Sequence, residues 1–347
     1  MKEWKNPRTN ERMLATFAKL LDPKTSTQRS GEKAEPMHSI TPLTTNTLMY
    51  PLDPCRKTLV MSILNTTPDS FSDGESNTLD PQKLRETAAA HIAAGATIID
   101  VGGQSSRPNA PDVTAEEEID RILPAIAAIK SLPEAQGIAI SVDTYRAAVA
   151  EAAIKAGAHI VNDISAGALD SQMLSTVARL GCTYIMMHMR GTPATMQNPE
   201  NCDYGRDMRT RIVEELNSRV TFALAAGIRN WRIILDPGIG FAKTQDQNLQ
   251  LLHAPLFRRN YESFHKKLSS SHKNLRRMPQ LVGCSRKGFI GNITGVVEPK
   301  DRVFGTAAAV TASIRGGADI VRVHDVSEMV QVAKMSDGIY RNKSNRY

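Results

Sequence analysis

The sequence predicts an α/β fold of the TIM type, a (β/α)8 barrel, from a phrase that recurs along the chain. In each copy a helical run ends at a glycine, and a β-branched strand that closes on a polar residue follows. The five copies are "AAGATIIDVG" from residue 93, "KAGAHIVND" from 155, "ARLGCTYIMMH" from 178, "AAGIRNWRIILD" from 225 and "IRGGADIVRVH" from 314. Their glycines suit the left-handed position that follows the last residue of a helix.

Three further apolar runs, "TLVMSILN" from 58, "GIAISVD" from 137 and "QLVGCS" from 280, bring the strands to eight. Because the strands are almost continuously apolar and helical segments separate them, a parallel sheet covered by helices is expected. Eight units in about 290 residues favour a closed barrel, with an open doubly wound sheet as the alternative. No G-x-G-x-x-G follows the first strand, which argues against a dinucleotide site.

Two helix starts are marked by capping residues. Asp80 followed by Pro81 fits an N-cap and first helical position, and Thr114 with Glu117 fits a capping box. These signals predict where the first two helices of the barrel begin.

The chain divides into an extension and a barrel. Residues 1–57, whose second half is rich in Pro, Thr, Ser and Lys, are interpreted as an N-terminal extension or linker, and residues 58–341 as the barrel. Residues 257–277 carry many bases, serines and histidines without an apolar period. A solvated insertion is the simpler interpretation of that segment, and a basic docking patch is the alternative.

The composition narrows the class of protein. Of the 347 residues, 41% are hydrophobic, which is enough for a sizeable core. The net charge of +7 favours anionic partners but is too small to indicate nucleic acid. The four cysteines lack zinc-site spacing, and no apolar run is long enough for a bilayer. A cytoplasmic protein is therefore predicted; a mitochondrial location is the alternative, although Glu3 and Glu11 are unusual in a presequence.

Polar residues close the predicted strands. They are Asn65, Asp100, Asp143, Asn162 with Asp163, His188, Asp236, Ser285 to Lys287, and Arg322 with His324. One aspartate after a strand is often a helix N-cap, and this remains an alternative for Asp143 and Asp163. A whole ring of polar groups at the mouth of an apolar barrel instead needs partners or a ligand.

The ring contains both bases and acids, which suggests a ligand with two different ends. Bases and backbone N–H groups suited to a phosphate-like anion are Arg107, Lys287, Arg322, His324 and the loop "DPGIGF". Asp143, Asn162 and Asp236 are acceptors suited to a planar heterocycle with several N–H donors. Asn65 together with diphosphate oxygens would suit Mg²⁺, which takes few protein ligands. No Ser or Cys nucleophile with a base is evident.

The strand-end motifs closely resemble those of dihydropteroate synthase. They are, in order, "ILNTTPDSFSDG", "DVGGQSSRPNAP", "SVDT", "VNDISAG", "MHMRGTP", "DPGIGFAK", "GCSRKGFIG" and "RVHDV". The resemblance covers about residues 58–341. It implies a pterin-binding barrel, commonly a homodimer and a target of sulfonamide inhibitors. It also implies a transferase that joins (7,8-dihydropterin-6-yl)methyl diphosphate to 4-aminobenzoate in tetrahydrofolate biosynthesis.

The resemblance carries residue roles to this chain by motif. It implies a pterin clamp of Asp143, Asn162, Asp236 and Lys287, and diphosphate contacts from Ser106, Arg322 and His324. It implies Asn65 as the Mg²⁺ ligand, and Phe71, Arg107 and Pro108 in an aminobenzoate pocket built by the loops 65–74 and 103–111, with Thr67 also binding substrate. Catalysis is expected to depend on Lys287, Arg322, His324 and Asp143, through a dissociative substitution in which the arylamine attacks as diphosphate leaves.

Some features depart from the family pattern. Ser106 stands where threonine is common and Gln104 where glutamate is frequent, which puts sulfonamide sensitivity in doubt. The sequence resembles fungal members of the family, in which this domain is often the last of a trifunctional chain. One interpretation is therefore that the chain is a fragment of a multifunctional protein. The competing functions are a methyltetrahydrofolate–corrinoid methyltransferase, which shares the clamp but not the two loops, and a catalytically degenerate barrel.

Overall fold

The barrel was described in a computed structural model that covers residues 56–67, 80–105, 112–253, 275 and 278–341. In this part of the chain eight parallel strands form one sheet, in the order β6-β5-β4-β3-β2-β1-β8-β7. The strands are β1 Leu59–Asn65, β2 Ile98–Gly102, β3 Ala139–Asp143, β4 Ile160–Asp163, β5 Thr183–Met187, β6 Ile233–Asp236, β7 Leu281–Val282 and β8 Ile320–Val323. A parallel bridge between Leu235 and Gln280 joins β6 to the start of β7. The predicted (β/α)8 barrel is confirmed.

Helices connect the strands and cover the outside of the barrel. They are α1 Pro81–Ala93, α2 Ala115–Lys130, α3 Ala147–Ala156, α4 Met173–Leu180, α5 Pro199–Cys202, α6 Met208–Ala225, α7 Gln245–His253, α8 Gly288–Thr294, α9 Val303–Gly316 and α10 Val326–Tyr340. Short 3-10 turns lie at Pro133–Ala135, Asn230–Arg232 and Pro299–Asp301.

The predicted helix signals are confirmed. Asp80 accepts from the backbone N–H of Gln82 at the start of α1, and Thr114 and Glu117 form a reciprocal capping box at the start of α2. The five glycines of the recurring phrase all have positive φ, between 63° and 111°, for which glycine carries no Cβ penalty. The local sequence therefore fixes where each of these helices gives way to a strand.

Two apolar layers hold the barrel. The larger one lies between the sheet and the surrounding helices. The smaller one fills the barrel interior and consists of Leu59, Met61, Ile98, Ala139, Ile160, Ile185, Ile234, Leu281 and Ile320. Because side chains alternate between the two faces of a strand, the interior face continues two residues later with polar groups. Asp100, Ser141, Asn162, Asp236 and Arg322 occupy these positions, directly above the apolar floor.

Among the described residues, no helix combines the length and apolar character needed to span a bilayer. The N-terminal extension, apart from its last two residues, and the basic insertion at 257–277, apart from Leu275, lie outside the described residues.

Candidate active site

Arg322 organises the polar layer inside the barrel. Its Nε donates to Asp100 Oδ2 at 2.6 Å, and its terminal N–H donates to Asp143 Oδ2 at 2.7 Å. Asn162 Nδ2 donates to the same Asp100 oxygen at 3.0 Å. Side chains from β2, β3, β4 and β8 thus meet in one hydrogen-bonded group, which brings together three of the predicted site residues.

Asp100 was missed as a site residue by the sequence reasoning, which placed it at a strand end but gave it no role. The side chain is 0% exposed, and its Oδ1 has no hydrogen-bond partner among the described residues. Its position two residues after the inward-facing Ile98 is the signal that could have identified it.

The carboxylates of this layer are strongly affected by burial. Burial raises the pKa of Asp143 to about 7, although the Arg322 guanidinium acts in the opposite direction. Burial likewise raises the pKa of Asp236, opposed by the hydrogen bond from the Gly238 N–H and by the charge of Lys287. Acceptors of this kind gain from a ligand whose N–H groups replace the lost water.

The loop 236–243, which starts at Asp236 at the end of β6, wraps around Lys287. Asp236 Oδ1 accepts from the Gly238 N–H at 2.7 Å, and Lys287 Nζ donates to the carbonyl of Ile239. The Lys287 ammonium lies 4.5 Å from the centre of the Phe241 ring, which is a cation–π distance. Burial lowers the pKa of Lys287 to about 8, with Asp236 opposing this shift. Lys287 and Asp236, two residues of the predicted clamp, are therefore brought close together by this loop.

The expectation that backbone N–H groups of "DPGIGF" bind an anion was wrong for three of them. The Gly238 N–H donates to Asp236, the Gly240 N–H to Asn248 Oδ1 at 2.7 Å, and the Phe241 N–H to the Gly238 carbonyl. Two of these donors are used within the loop and the third bonds to α7, so they are not available to a phosphate.

His324 is held by Ser285 across β7 and β8. Ser285 Oγ lies 3.2 Å from the His324 backbone N and 3.1 Å from its Nδ1. A serine hydroxyl that accepts the backbone N–H can donate its own proton to Nδ1, which favours the tautomer with the proton on Nε2. The sequence reasoning named Ser285 as a strand-end residue without this role.

The residue before Lys287 has an unusual backbone. Arg286 has φ of 59°, which is uncommon for a residue with a side chain, and it pairs with Asp325 through both Nε and a terminal nitrogen. Its backbone N–H donates to Thr306 Oγ1, and Arg302 donates to its carbonyl. This fixed turn directs the backbone into Lys287 at the start of α8.

Asn65 lies beside a gap left by a glycine. Gly102 is the register partner of both Asn65 on β1 and Asp143 on β3. A Cβ built on Gly102 would lie 3.4 Å from Asn65 Oδ1 and 3.9 Å from Asp143 Oδ2. The missing side chain leaves a cradle bordered by two oxygen acceptors, and Thr67 follows two residues later.

Asp143 and Asp163 do not act as helix N-caps, which was the alternative interpretation of these strand-end aspartates. Asp143 pairs with Arg322, and α3 begins after Arg146. Asp163 points away from the pocket and accepts from Ser165, Gly167 and Tyr184. His188 is also removed from the predicted clamp, because its ring contacts Glu215 and Lys243.

Four predicted site residues lie outside the described residues: Phe71, Ser106, Arg107 and Pro108. Their assignments stay predictions. Gln104, at the start of that second loop, is described and donates to Asp112 Oδ1 at 2.9 Å.

The comparison with protein-family models decides the family. A model described as pterin binding enzyme matches residues 61–324. The chain belongs to the pterin-binding enzyme family. Within the family, it is 45% identical to dihydropteroate synthase of Synechocystis over 289 residues, covering 82% of this chain and 91% of that protein. The predicted resemblance to dihydropteroate synthase is confirmed.

Two further relatives similar to this chain are longer proteins. The folic acid synthesis protein of Pneumocystis carinii is 49% identical over 285 residues, which cover 82% of this chain and 36% of that protein. The mitochondrial folate synthesis bifunctional protein of Pisum sativum is 45% identical over 294 residues, covering 85% and 56%. The chain thus spans about a third to just over half of such multifunctional relatives.

A solved structure of the family has the same fold. Dihydropteroate synthase from Clostridium difficile, in the presence of pteroic acid, aligns with a TM-score of 0.69 at 38% identity and covers 82% of this chain and 98% of that one. The Yersinia pestis enzyme, in a sulfonamide complex, also aligns with a TM-score of 0.69, at 36% identity.

Proposed function

We propose that the chain is a dihydropteroate synthase, which condenses (7,8-dihydropterin-6-yl)methyl diphosphate with 4-aminobenzoate and releases diphosphate. The observation that carries the proposal is the polar layer organised by Arg322 above an apolar barrel floor. Relatives named dihydropteroate synthase, which this chain covers over 91% and 93% of their length, support the proposal.

The pterin ring binds to the acceptors of the inner layer. Asp143, Asn162 and Asp236 present oxygens to the amide and amino N–H groups of a planar heterocycle. Lys287, with its ammonium directed towards the Ile239 carbonyl and the Phe241 ring, closes the pocket and donates to acceptor atoms of the ligand. Burial of these groups makes each hydrogen bond with the ligand stronger than it would be in water.

The diphosphate lies at the mouth, beside Arg322 and His324. Both groups stabilise the negative charge that builds on the leaving group, a task that needs positioning and charge but no protein nucleophile. The surrounding carboxylates stabilise the cationic pterin CH₂ that develops as the carbon–oxygen bond breaks. The bond to diphosphate therefore breaks before or as the amine of 4-aminobenzoate attacks.

Mg²⁺ is proposed as the cofactor, with Asn65 Oδ1 as its protein ligand. The cradle at Gly102 supports this, because the missing side chain leaves room for a Cβ-sized group between the Asn65 amide oxygen and the Asp143 carboxylate. When bound, the metal would neutralise charge on the diphosphate oxygens. The described residues contain no cluster of three His, Cys, Asp or Glu, and Mg²⁺ needs none because it keeps several waters.

The second substrate, 4-aminobenzoate, is assigned to a pocket that includes Thr67, Phe71, Ser106, Arg107 and Pro108. The support for this part is the sequence resemblance together with a relative from Xanthomonas albilineans solved with 4-aminobenzoic acid. Sulfonamide inhibitors bind the same site in this proposal, and Ser106 is the residue expected to tune their affinity.

Two exposed apolar segments support a homodimer. Ile293, Val297 and Phe304, at the junction of α8 and α9, are 52%, 79% and 89% exposed, and Met335 on the adjacent α10 is 66% exposed. Apolar area of this kind, on neighbouring helices, favours contact with a second copy.

For the compartment, cytoplasm is proposed. Plant relatives named mitochondrial support the alternative, a mitochondrial location.

The experiment incubates the purified chain with pterin diphosphate, 4-aminobenzoate and MgCl₂, and measures dihydropteroate by mass spectrometry. Equal amounts of dihydropteroate and diphosphate are expected, with no product after chelation of the metal. A folded chain that forms no product but binds the pterin substrate would contradict the proposal and favour a degenerate barrel. Methyl transfer from a folate to a corrinoid would favour the methyltransferase alternative.

A further inference from the structure

A buried lysine that has no part in the proposed reaction lies at the end of the loop 236–243. Lys243 is 2% exposed. Its Nζ lies 2.9 Å from the carbonyl oxygen of Phe241, 3.1 Å from His188 Nδ1 and 3.5 Å from the His188 carbonyl oxygen. An ammonium has three N–H donors, and these three acceptors match them.

On the side away from Lys243, the His188 ring contacts Glu215, which is paired with Arg190. Its Nε2 lies 2.9 Å from Glu215 Oε2, and Arg190 contacts both oxygens of Glu215, at 3.1 and 2.5 Å. Although burial alone would raise it, hydrogen bonds from His188 and Arg190 lower the pKa of Glu215 to about 2. An ionised carboxylate only accepts, so His188 carries its proton on Nε2 and accepts from Lys243 at Nδ1.

The loop 236–243, which ends at Lys243, contains three residues in left-handed backbone conformations. Gly238, Gly240 and Ala242 have φ of 69°, 81° and 48°, and Ala242 adopts this conformation with a side chain. Tyr204 donates to the Ala242 carbonyl at 2.9 Å, next to the Lys243 contact with Phe241. Such a conformation persists only where surrounding contacts impose it.

The charge of Lys243 also acts on Asp236. Three cations face that carboxylate: Lys243 from the same loop, Lys287 from the start of α8 and Arg322 from β8, and each lowers its pKa. Lys243 in turn faces Asp236 and Glu215 as opposite charges and Lys287 and Arg190 as like charges; burial lowers its own pKa to about 7.

We propose that Lys243 is a positioning residue of this reaction, which fixes the Phe241 carbonyl and the left-handed loop that follows Asp236. It acts through Phe241 and this loop and does not itself touch the substrate. The pterin ring then meets an acceptor that is already oriented, and less binding energy is lost in ordering the loop. This inference rests on the proposed function.

The test compares Lys243→Met with Lys243→Gln. Methionine keeps the aliphatic stem but removes both the donor and the charge, whereas glutamine keeps a donor for the Phe241 carbonyl without the charge. Lys155→Met, at a lysine whose side chain is 68% exposed, is the control. The KM for pterin diphosphate and kcat are measured for each variant, beside thermal unfolding.

Lys243→Met is expected to raise the KM for pterin diphosphate by about tenfold, the effect of one lost buried hydrogen bond. Lys243→Gln should recover part of the KM, because its amide still donates to the Phe241 carbonyl. A purely structural role would lower thermal stability without raising the KM for pterin diphosphate.

An unchanged KM in a folded Lys243→Met protein would overturn the inference, as would aggregation of both variants, which would place Lys243 in the folding core alone. Failure of the proposed function is distinguishable, since the wild-type chain would then form no dihydropteroate.

Discussion

Asp143 illustrates how burial sets the chemistry of a single residue. Its carboxylate faces Arg322 at 2.7 Å, yet burial raises its pKa to about 7, while burial lowers the pKa of Lys287 to about 8. A site with these two groups changes its charge within the neutral pH range.

The pKa values predict a narrow pH range for pterin binding. Asp143 must be ionised to accept N–H groups, so affinity should fall as the pH drops below about 7. Lys287 must be protonated to donate, so affinity should also fall as the pH rises above about 8. Calorimetric titration with pterin diphosphate from pH 5.5 to 9.5 measures both limbs.

The acid limb has a matched control. Asp143→Asn is expected to bind more weakly at pH 8 and to lose most of the dependence below pH 7. An Asp143→Asn protein that keeps the full acid limb would show that another group, such as Asp236, titrates there.

The segment before α3 shows how a single element is held in place by a buried ion pair. Arg146, the residue before α3, donates to Glu118 Oε2 at 2.5 Å on α2 and to Asp112 Oδ1 at 2.7 Å. The Glu118 side chain is 1% exposed, and burial raises its pKa. The ion pair with Glu118 thus links two adjacent βα units, and the bond to Asp112 ties down the segment before α2.

Arg146→Met should lower the free energy of unfolding by about 3 kcal/mol, because it leaves the buried Glu118 carboxylate without its cation. Urea denaturation measures the change. The control is Arg179→Met, which removes an exposed ion pair with Glu151 and should have a much smaller effect. Adding Glu118→Gln to Arg146→Met should restore part of the lost stability. An equal loss in Arg146→Met and Arg179→Met would contradict a stabilising role of the buried ion pair.

Two glycines separate backbone strain from steric clash. A Cβ on Gly238 would lie 2.0 Å from the His188 carbonyl oxygen, whereas a Cβ on Gly181 has no neighbour within 4 Å; their φ values are 69° and 63°. Gly181→Ala should cost about 1 kcal/mol of stability, the ordinary cost of a left-handed alanine.

Gly238→Ala should cost clearly more than Gly181→Ala and should also weaken pterin binding, because the displaced loop carries Asp236. Thermal unfolding and calorimetry of both variants test this. Equal stability losses in the two variants would mean that the loop moves freely away from His188.

Local elements were predictable from the sequence, and pairings between distant residues were not. Gly95, Asp80 and Thr114 act within one or two turns of their own position, so their roles can be derived from neighbours in the chain. The bond from Arg322 to Asp100 joins residues 222 positions apart and depends on barrel closure. Spacing alone could place both at the mouth but could not tell which carboxylate would receive the guanidinium.

The loop after β6 shows the same limit at the site. Its motif predicted free N–H donors for an anion, but the backbone folds back so that Gly238, Gly240 and Phe241 donate within the protein. The predicted roles of Phe71, Ser106, Arg107 and Pro108 stay predictions, as does Mg²⁺ at Asn65.

At the scale of the whole molecule, the apolar junction of α8 and α9 predicts self-association. Phe304→Glu should shift the protein from dimer to monomer, because it places a charge in the most exposed apolar residue of that junction. Light scattering at several concentrations measures the mass. Trp231→Glu, at an aromatic residue that is 71% exposed near β6, is the control and should leave the mass unchanged. A wild-type monomer at all concentrations would contradict the homodimer.

The proposed function depends on the polar layer of the barrel being the binding site for pterin diphosphate. Isothermal titration of this ligand with Mg²⁺, without 4-aminobenzoate, into wild type, Lys287→Ala and Lys155→Ala tests this most directly. We predict one site per chain, equal affinity in wild type and Lys155→Ala, and affinity about a hundredfold weaker in Lys287→Ala, which loses a charge-assisted donor. Equal affinity in all three folded proteins would contradict the account.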